Sequence, residues 1–232
     1  MAHTLSGVGP FACPDNPQWK DRTLPNHVTN VVRANRDVIH AMLNEGGVDF
    51  NRIIPMPETV IRGSIGHAEI DGVYQKVWYP DEDPQKPMER TKPQPYPEGA
   101  TDWYDWSIEH WGTKWNAYSS EVLEDDTIAK FDTAWSHPYP VMAKLAEMFP
   151  KELIQVMYAD EDLGNNFGVY GIIEGLFTDF PCPDEGTEDA VDLACLIKYG
   201  CHYKDLHEDD AQCFTCIEVL RHALHAGSSH GS

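Results

Sequence analysis

Hydrophobic positions along the chain recur at two spacings, and these predict most of its elements. Val28, Val31 and Val32 mark a first strand over residues 28–34. Asn35 is placed to cap a helix over 36–44, with Val38, Ile39, Met42 and Leu43 on its apolar side and Gly46 and Gly47 as its stop. Residues 50–57 read as extended, because Pro55 and Pro57 bias their predecessors away from the helix. Residues 58–61 suggest a short helix, and 68–79 a hairpin turning at Asp71-Gly72. Trp106, Ile108 and His110 share one face of a period-two pattern, opposite Ser107 and Glu109. The stretch 106–118 is therefore expected to be a strand that breaks at Gly112 and re-enters the body through Trp115 and Tyr118.

The second half is clearer. Phe131, Thr133 and Trp135 define a strand over 128–135, and Ser136 followed by Pro138 and Pro140 opens a helix carrying Val141, Leu145, Met148 and Phe149. Strands follow over 153–159 and 167–175, separated by the turn Gly164-Asn165-Asn166. Helices over 187–199 and 209–226 would form a hairpin at the carboxyl end. In order, these pieces give β-α-β-β-α-β, with the second strand delayed by an insertion over about 58–105. Pro80, Pro84, Pro87, Pro93, Pro95 and Pro97 make part of that insertion a long excursion, with Tyr96 as its anchor. The organisation expected is an extension over 1–23, a domain over 24–180, a helical hairpin over 181–226 and a flexible tail over 227–232.

The stretch Trp111-Gly-Thr-Lys-Trp-Asn-Ala-Tyr118 resembles a motif of the YubB ferredoxin-like family of phage and plasmid accessory proteins. The segments 24–30, 49–58, 131–140 and 158–161 agree with it, so that the resemblance spans about 24–175. It implies an α+β ferredoxin-like βαββαβ sandwich, here with a Pro-rich insertion, and a mobile-element context. It implies no reaction and no iron–sulfur cluster.

Charge narrows the function. The chain has 232 residues, 38 of them acidic against 17 basic, for a net charge of −21. That disfavours direct nucleic-acid binding, which needs cations to neutralise phosphates. It suits a basic protein partner, or mimicry of a nucleic acid's charge. Six cysteines, no signal-like amino terminus and no apolar run of membrane length make a cytoplasmic protein with reduced thiols the expectation.

Candidate chemistry is sparse. Cys213 and Cys216, with Cys201 and His202 upstream, could hold zinc or could be packed apolar thiols. Asp132, Asp160, Glu161 and His110 could assist a metal-dependent hydrolysis, or could be turn and core groups. No phosphate loop or nucleophile elbow is present. Trp103, Trp106, Trp111, Trp115 and Trp135 remain, beside Lys114 and Asn116. Such a group can stack a small nucleotide or anchor a protein interface. The candidate binding residues are Trp111, Lys114, Trp115, Asn116, Trp135, Asp160, Glu161 and Asn166, with no cofactor. The function expected is that of a non-enzymatic accessory protein that binds a host defence component. A nucleotide sponge and a metal-assisted hydrolase are the alternatives.

Overall fold

The structure, a computed structural model, describes residues 26–80 and 92–207. The apolar run at the start of these residues forms β1 (His27–Arg33), whose middle residues are buried. Asn35 caps α1 (Arg36–Met42), its side chain accepting a hydrogen bond from the Val38 amide. This helix stops two residues early, because the chain folds into a small hairpin of β2 (Leu43–Asn44) and β3 (Gly47–Val48). The segment 50–57 begins with a 3-10 turn, Phe50–Arg52, capped by Asp49. Residues 58–61 form a turn and a bridge, with Ile61 paired to Asp102, where a short helix was expected.

The insertion makes its own sheet. β4 (Ser64–Ile70) and β5 (Val73–Tyr79) pair across Asp71-Gly72, and both turn residues have the positive φ that this dipeptide favours. β6 (Gln94–Pro95) adds to β5. Next comes the largest departure from expectation. Residues 106–111, anticipated as the first part of a strand over 106–118, belong to α2 (Trp103–Trp111). Asp102 caps it, accepting from the Tyr104 and Asp105 amides, and Gly112 ends it in the left-handed conformation. Trp103, Trp106 and Trp111 pack on the main core, whereas Ile108 is 40% exposed. Burial thus follows helical spacing, and the alternation of Ile108 and His110 with polar neighbours is incidental.

Gly112 is required twice. Its φ is +76°, and an added Cβ would lie 2.8 Å from Pro140 Cδ. Gly112→Ala is expected to cost about 1–3 kcal/mol of stability, read as a lower denaturant midpoint at unchanged m.

Among the described residues, β7 (Tyr118–Leu123), β8 (Ile128–Ala134), α3 (Tyr139–Met148), β9 (Ile154–Asp160), β10 (Phe167–Ile173), β11 (Leu176–Asp179) and α4 (Glu188–Tyr199) follow, and then a 3-10 turn, Tyr203–His207. Ser136, expected to cap α3, does not; Pro138 holds that position and Ser136 reaches elsewhere. β11 continues a hairpin through Glu174 and Gly175, which both take positive φ. α4 has the expected cap, Thr187, and the expected stop, Gly200. The helix anticipated over 209–226 lies outside the described residues.

Among the described residues, the main sheet has six strands in the order β11-β10-β9-β1-β8-β7, with every paired neighbour antiparallel. Within it, β1-α1-β7-β8-α3-β9 is the βαββαβ unit, with its fourth strand beside its first. The fold is α+β and ferredoxin-like, with β10 and β11 extending one edge. α1, α2 and α3 bury their apolar faces on one side of the sheet, around Phe50, Phe131 and Val156. α4 covers the other side, where Ala194 and Ile197 meet Val31, Ile128, Met157 and Val169. A polar cleft lies beside the end of α4, lined by residues of β1, β7, β8 and α4. Among the described residues, no helix is long and apolar enough to cross a membrane.

Candidate functional site

The surface is built from two segments that the fold holds together, the end of α2 and the turn after β8. Trp135 sits in that turn with φ +73°, a conformation in which a bulky side chain is strained. Its neighbours hold it there. The Trp135 amide donates to the Asn26 carbonyl at 2.8 Å. Thr133 Oγ1 donates to the Ser136 carbonyl at 2.8 Å, and Ser136 Oγ donates to the Gly112 carbonyl. The last bond ties the turn to the end of α2, only two residues from Lys114.

His137 fixes the same turn from below. It is 4% exposed, between Asn30 of β1 and Tyr170 of β10. Asn30 uses its amide group as donor to the Val28 carbonyl and to Thr133 Oγ1, both at 2.9 Å. Its Oδ1 is left to accept from His137 Nδ1 at 2.6 Å. His137 Nε2 then accepts from the Tyr170 hydroxyl at 2.7 Å. The imidazole is neutral and fully bonded, and burial pushes its pKa down to about 3.

Above this frame, Lys114 lies between two indoles. Its Nζ is 4.6 Å from the ring centre of Trp115 and 4.6 Å from that of Trp135. Trp115 is 37% exposed and Trp135 41%. Tyr104 meets Trp135 edge-on at 6.2 Å, and Tyr118 meets Trp115 edge-on at 6.4 Å. Each indole is thus braced by a second ring.

Tyr118 joins this platform to a polar cleft of about 510 Å³. Its hydroxyl lies 2.6 Å from His27 Nδ1. Burial, reinforced by Asp132 and Glu161, pushes that hydroxyl above the usual tyrosine range, so it keeps its proton. Thr29, Asp132 and Tyr118 form one row across β1, β8 and β7. A bulge between Tyr118 and Glu121 breaks the alternation and places both on the cleft. Thr29 Oγ1 donates to Asp132 Oδ1 at 2.8 Å and lies 3.3 Å from Lys198 Nζ. Lys130 Nζ donates to the Lys198 carbonyl at 2.7 Å. Burial lowers the Lys198 pKa against the pull of Asp132, Asp160 and Glu161.

The sequence candidates divide accordingly. Lys114, Trp115 and Trp135 come together at the surface, and Glu161 joins Asp132 in the cleft. Trp111, expected at the recognition surface, is instead a core residue, 3% exposed, with its indole donating to the Ile54 carbonyl. Asn116 is spent internally: its Oδ1 accepts from the Phe50 amide at 2.8 Å and its Nδ2 donates to Asp49 at 2.7 Å. Asp160, 4% exposed, shapes the β9–β10 turn, accepting from the Asp162 amide and from Asn166 Nδ2. Asn166 serves that turn too. His110 stacks on Trp106 at 4.3 Å and bonds to its carbonyl, so it does not join Asp132 and Glu161 in the cleft lining. Among the described residues, no three His, Cys, Asp or Glu side chains are grouped to hold a metal ion. Cys201 is buried and His202 pairs with Asp192, while Cys213 and Cys216 lie outside the described residues.

The cleft residues His27, Thr29, Tyr118, Lys130 and Lys198 were not among the candidates. The only local trace of them is polar residues at alternate positions of otherwise apolar strands, His27 and Thr29 before Val31, and Lys130 and Asp132 after Ile128.

Residues 111–197 match the family described as a ferredoxin-like domain in Api92-like protein. The match begins at Trp111, covers β7 to the last turn of α4, and includes the whole Lys114–Trp115–Trp135 group. It covers less than half of the chain and leaves out β1, which the fold places at the centre of the sheet between β9 and β8. No curated protein and no solved structure matches the chain.

Proposed function

We propose that this protein works by binding a basic protein partner, with Trp115, Lys114 and Trp135 as the anchor. The observation that carries this reading is the exposed pair of indoles, each braced by another ring and one held on strained backbone. Aromatic anchors of this kind concentrate interface energy, and their rigidity lowers the entropy cost of docking. The net charge of −21 gives a basic partner a favourable approach, or lets the surface stand in for a nucleic acid's phosphates. The resemblance to the YubB family supplies the setting: a phage or plasmid accessory protein, in the host cytoplasm, that antagonises a component of host defence.

The test is co-purification from host lysate, comparing the wild type with Trp115→Ala/Trp135→Ala. The partner retained by the wild type is expected to bind the double variant at least about thirtyfold more weakly, the loss typical of two anchoring residues. Its retention should also fall as salt rises. Equal retention by the two proteins removes the reading.

A small nucleotide is the second reading, favoured by the exposed indoles of Trp115 and Trp135, on which a base can stack. A saturable quench of tryptophan fluorescence by nucleotide, with no protein partner captured, would put it first.

A further inference from the structure

Lys114 occupies a position that the exposed indoles create. Its Nζ sits at the same 4.6 Å from each ring centre, so the two centres lie no more than twice that distance apart. A cation between two indole faces is attracted by both quadrupoles. We infer that Trp115 and Trp135 form an aromatic cage for a guanidinium or alkylammonium group of the partner, and that Lys114 fills the cage until that group displaces it. This inference rests on the binding reading above and gives that partner's contacting group its chemistry.

Three features point this way. First, the cage does not depend on Lys114 for its shape. Trp135 is held by the Asn26 carbonyl and braced by Tyr104, and Trp115 is braced by Tyr118 and by Thr113 Oγ1, which donates to its carbonyl at 3.0 Å. Second, both tryptophans keep more than a third of their surface exposed, which leaves a way in for a group from outside. Third, the surroundings favour a cation. Glu121, Asp132 and Glu161 line the adjoining cleft, while Lys130 and Lys198 there each direct an ammonium at an internal oxygen.

A tethered occupant competes with a free one. Lys114 lies next to Trp115 in the chain, so its effective concentration in the cage is high. The apparent affinity for an outside cation is lowered by the fraction of time the cage is filled. Removing the lysine ammonium should therefore raise affinity for any group that enters the cage, and most for a cation, which also escapes the ammonium's repulsion.

The experiment titrates wild type, Lys114→Ser and Lys114→Gln with N-acetyl-trimethyllysine amide, following tryptophan fluorescence. The control ligand is its neutral isostere, with carbon in place of the quaternary nitrogen. Both variants are expected to bind the cation about tenfold more tightly than the wild type, and to prefer it to the isostere by about the same factor. Trp135→Ala added to either variant should abolish the saturable signal. Lys114→Gln keeps the stem without the charge and serves as the measurement if the serine protein does not fold. Equal affinity for the two ligands, or no gain on removing the ammonium, overturns the cage. If the cage fails while Trp115→Ala/Trp135→Ala still loses its lysate partner, the platform stands without it. If that double variant keeps the partner, the platform itself is withdrawn.

Discussion

His137→Leu is expected to lower the free energy of unfolding by about 3–5 kcal/mol near neutral pH, measured by denaturant titration. The leucine would fill most of the ring's space but replace none of its bonds. Asn30 Oδ1 would lose its donor and the Tyr170 hydroxyl its acceptor, both in the interior. A buried polar group left without a partner costs about 1–3 kcal/mol, more than the bond itself contributes. Tyr170→Phe should cost less, because it strands only one nitrogen, and the double variant should cost less than the sum of the two. The pH dependence gives a second readout. The folded pKa of His137 is held down to about 3 by burial, below the 6.5 of an ordinary histidine, so the unfolded chain takes up the proton first. Stability is full above pH 6.5 and falls as pH drops from there towards about 3. The slope from this one group is about 1.4 kcal/mol per pH unit. His137→Leu lacks it, so the gap between variant and wild type should narrow as pH falls from 6.5. Burial raises the pKa of Asp49 and of Asp102, but their hydrogen bonds win and hold both below 3.8, so their contributions begin to be lost only below that value, at the foot of the window, and in variant and wild type alike. A gap that stays constant across the window would show that His137 is charged in the folded protein.

That network bears on function because it supports the turn carrying Trp135. His137 is pinned to β1 and β10, Thr133 and Ser136 bond across the turn, and the left-handed backbone of Trp135 is what remains possible between them. His137→Leu should consequently weaken partner capture by loosening the platform, without touching it.

Local signals account for most of what the sequence disclosed. Asn35, Thr187 and Gly200 are caps whose chemistry acts within a turn of the helix, and Asp71-Gly72 is a turn whose conformation its own residues prefer. Residues 106–111 were misread as strand because aromatic side chains at 106 and 110 fit either period. The deciding signals were Asp102, a good cap lying upstream of the stretch, and the helical spacing of Trp103, Trp106 and Trp111. Lys114 and Trp115 were legible as neighbours. Their meeting with Trp135 was not, since it depends on Ser136 reaching the Gly112 carbonyl across the whole β7–β8 hairpin, 24 residues along the chain. The cleft was less legible still. His27, Tyr118, Asp132 and Lys198 come from four elements, and a register bulge in β7 decides which side chains face it. Pairing between distant strands leaves no periodic trace.

Asp102→Ala is expected to cost about 2–4 kcal/mol and to free the inserted sheet from the body of the protein. This carboxylate is 2% exposed and serves two structures at once. One oxygen caps α2 through the Tyr104 and Asp105 amides, at 3.0 and 3.1 Å. The other accepts from Lys76 Nζ of β5 at 2.9 Å and from the Tyr96 hydroxyl, just beyond β6, at 3.0 Å. Lys76 also lies 4.1 Å over the Tyr96 ring. Tyr96, expected to anchor the proline-rich segment, thus ties the described residues 94–97 to the start of α2. Alanine removes both functions. Asn separates them, because an amide oxygen still caps the helix while its NH₂ faces the Lys76 ammonium with the wrong polarity. Asp102→Asn should thus preserve most of the global stability but speed hydrogen exchange in β5 and β6 selectively. The sign with pH is the opposite of a raised group's. The carboxyl is held below 3.8, so its contribution is present above that value and is lost as pH falls through the folded pKa. If Asp102→Asn leaves exchange in β5 unchanged, the sheet is held by Ile61 and its bridge to residue 102, whose backbone the substitution does not alter.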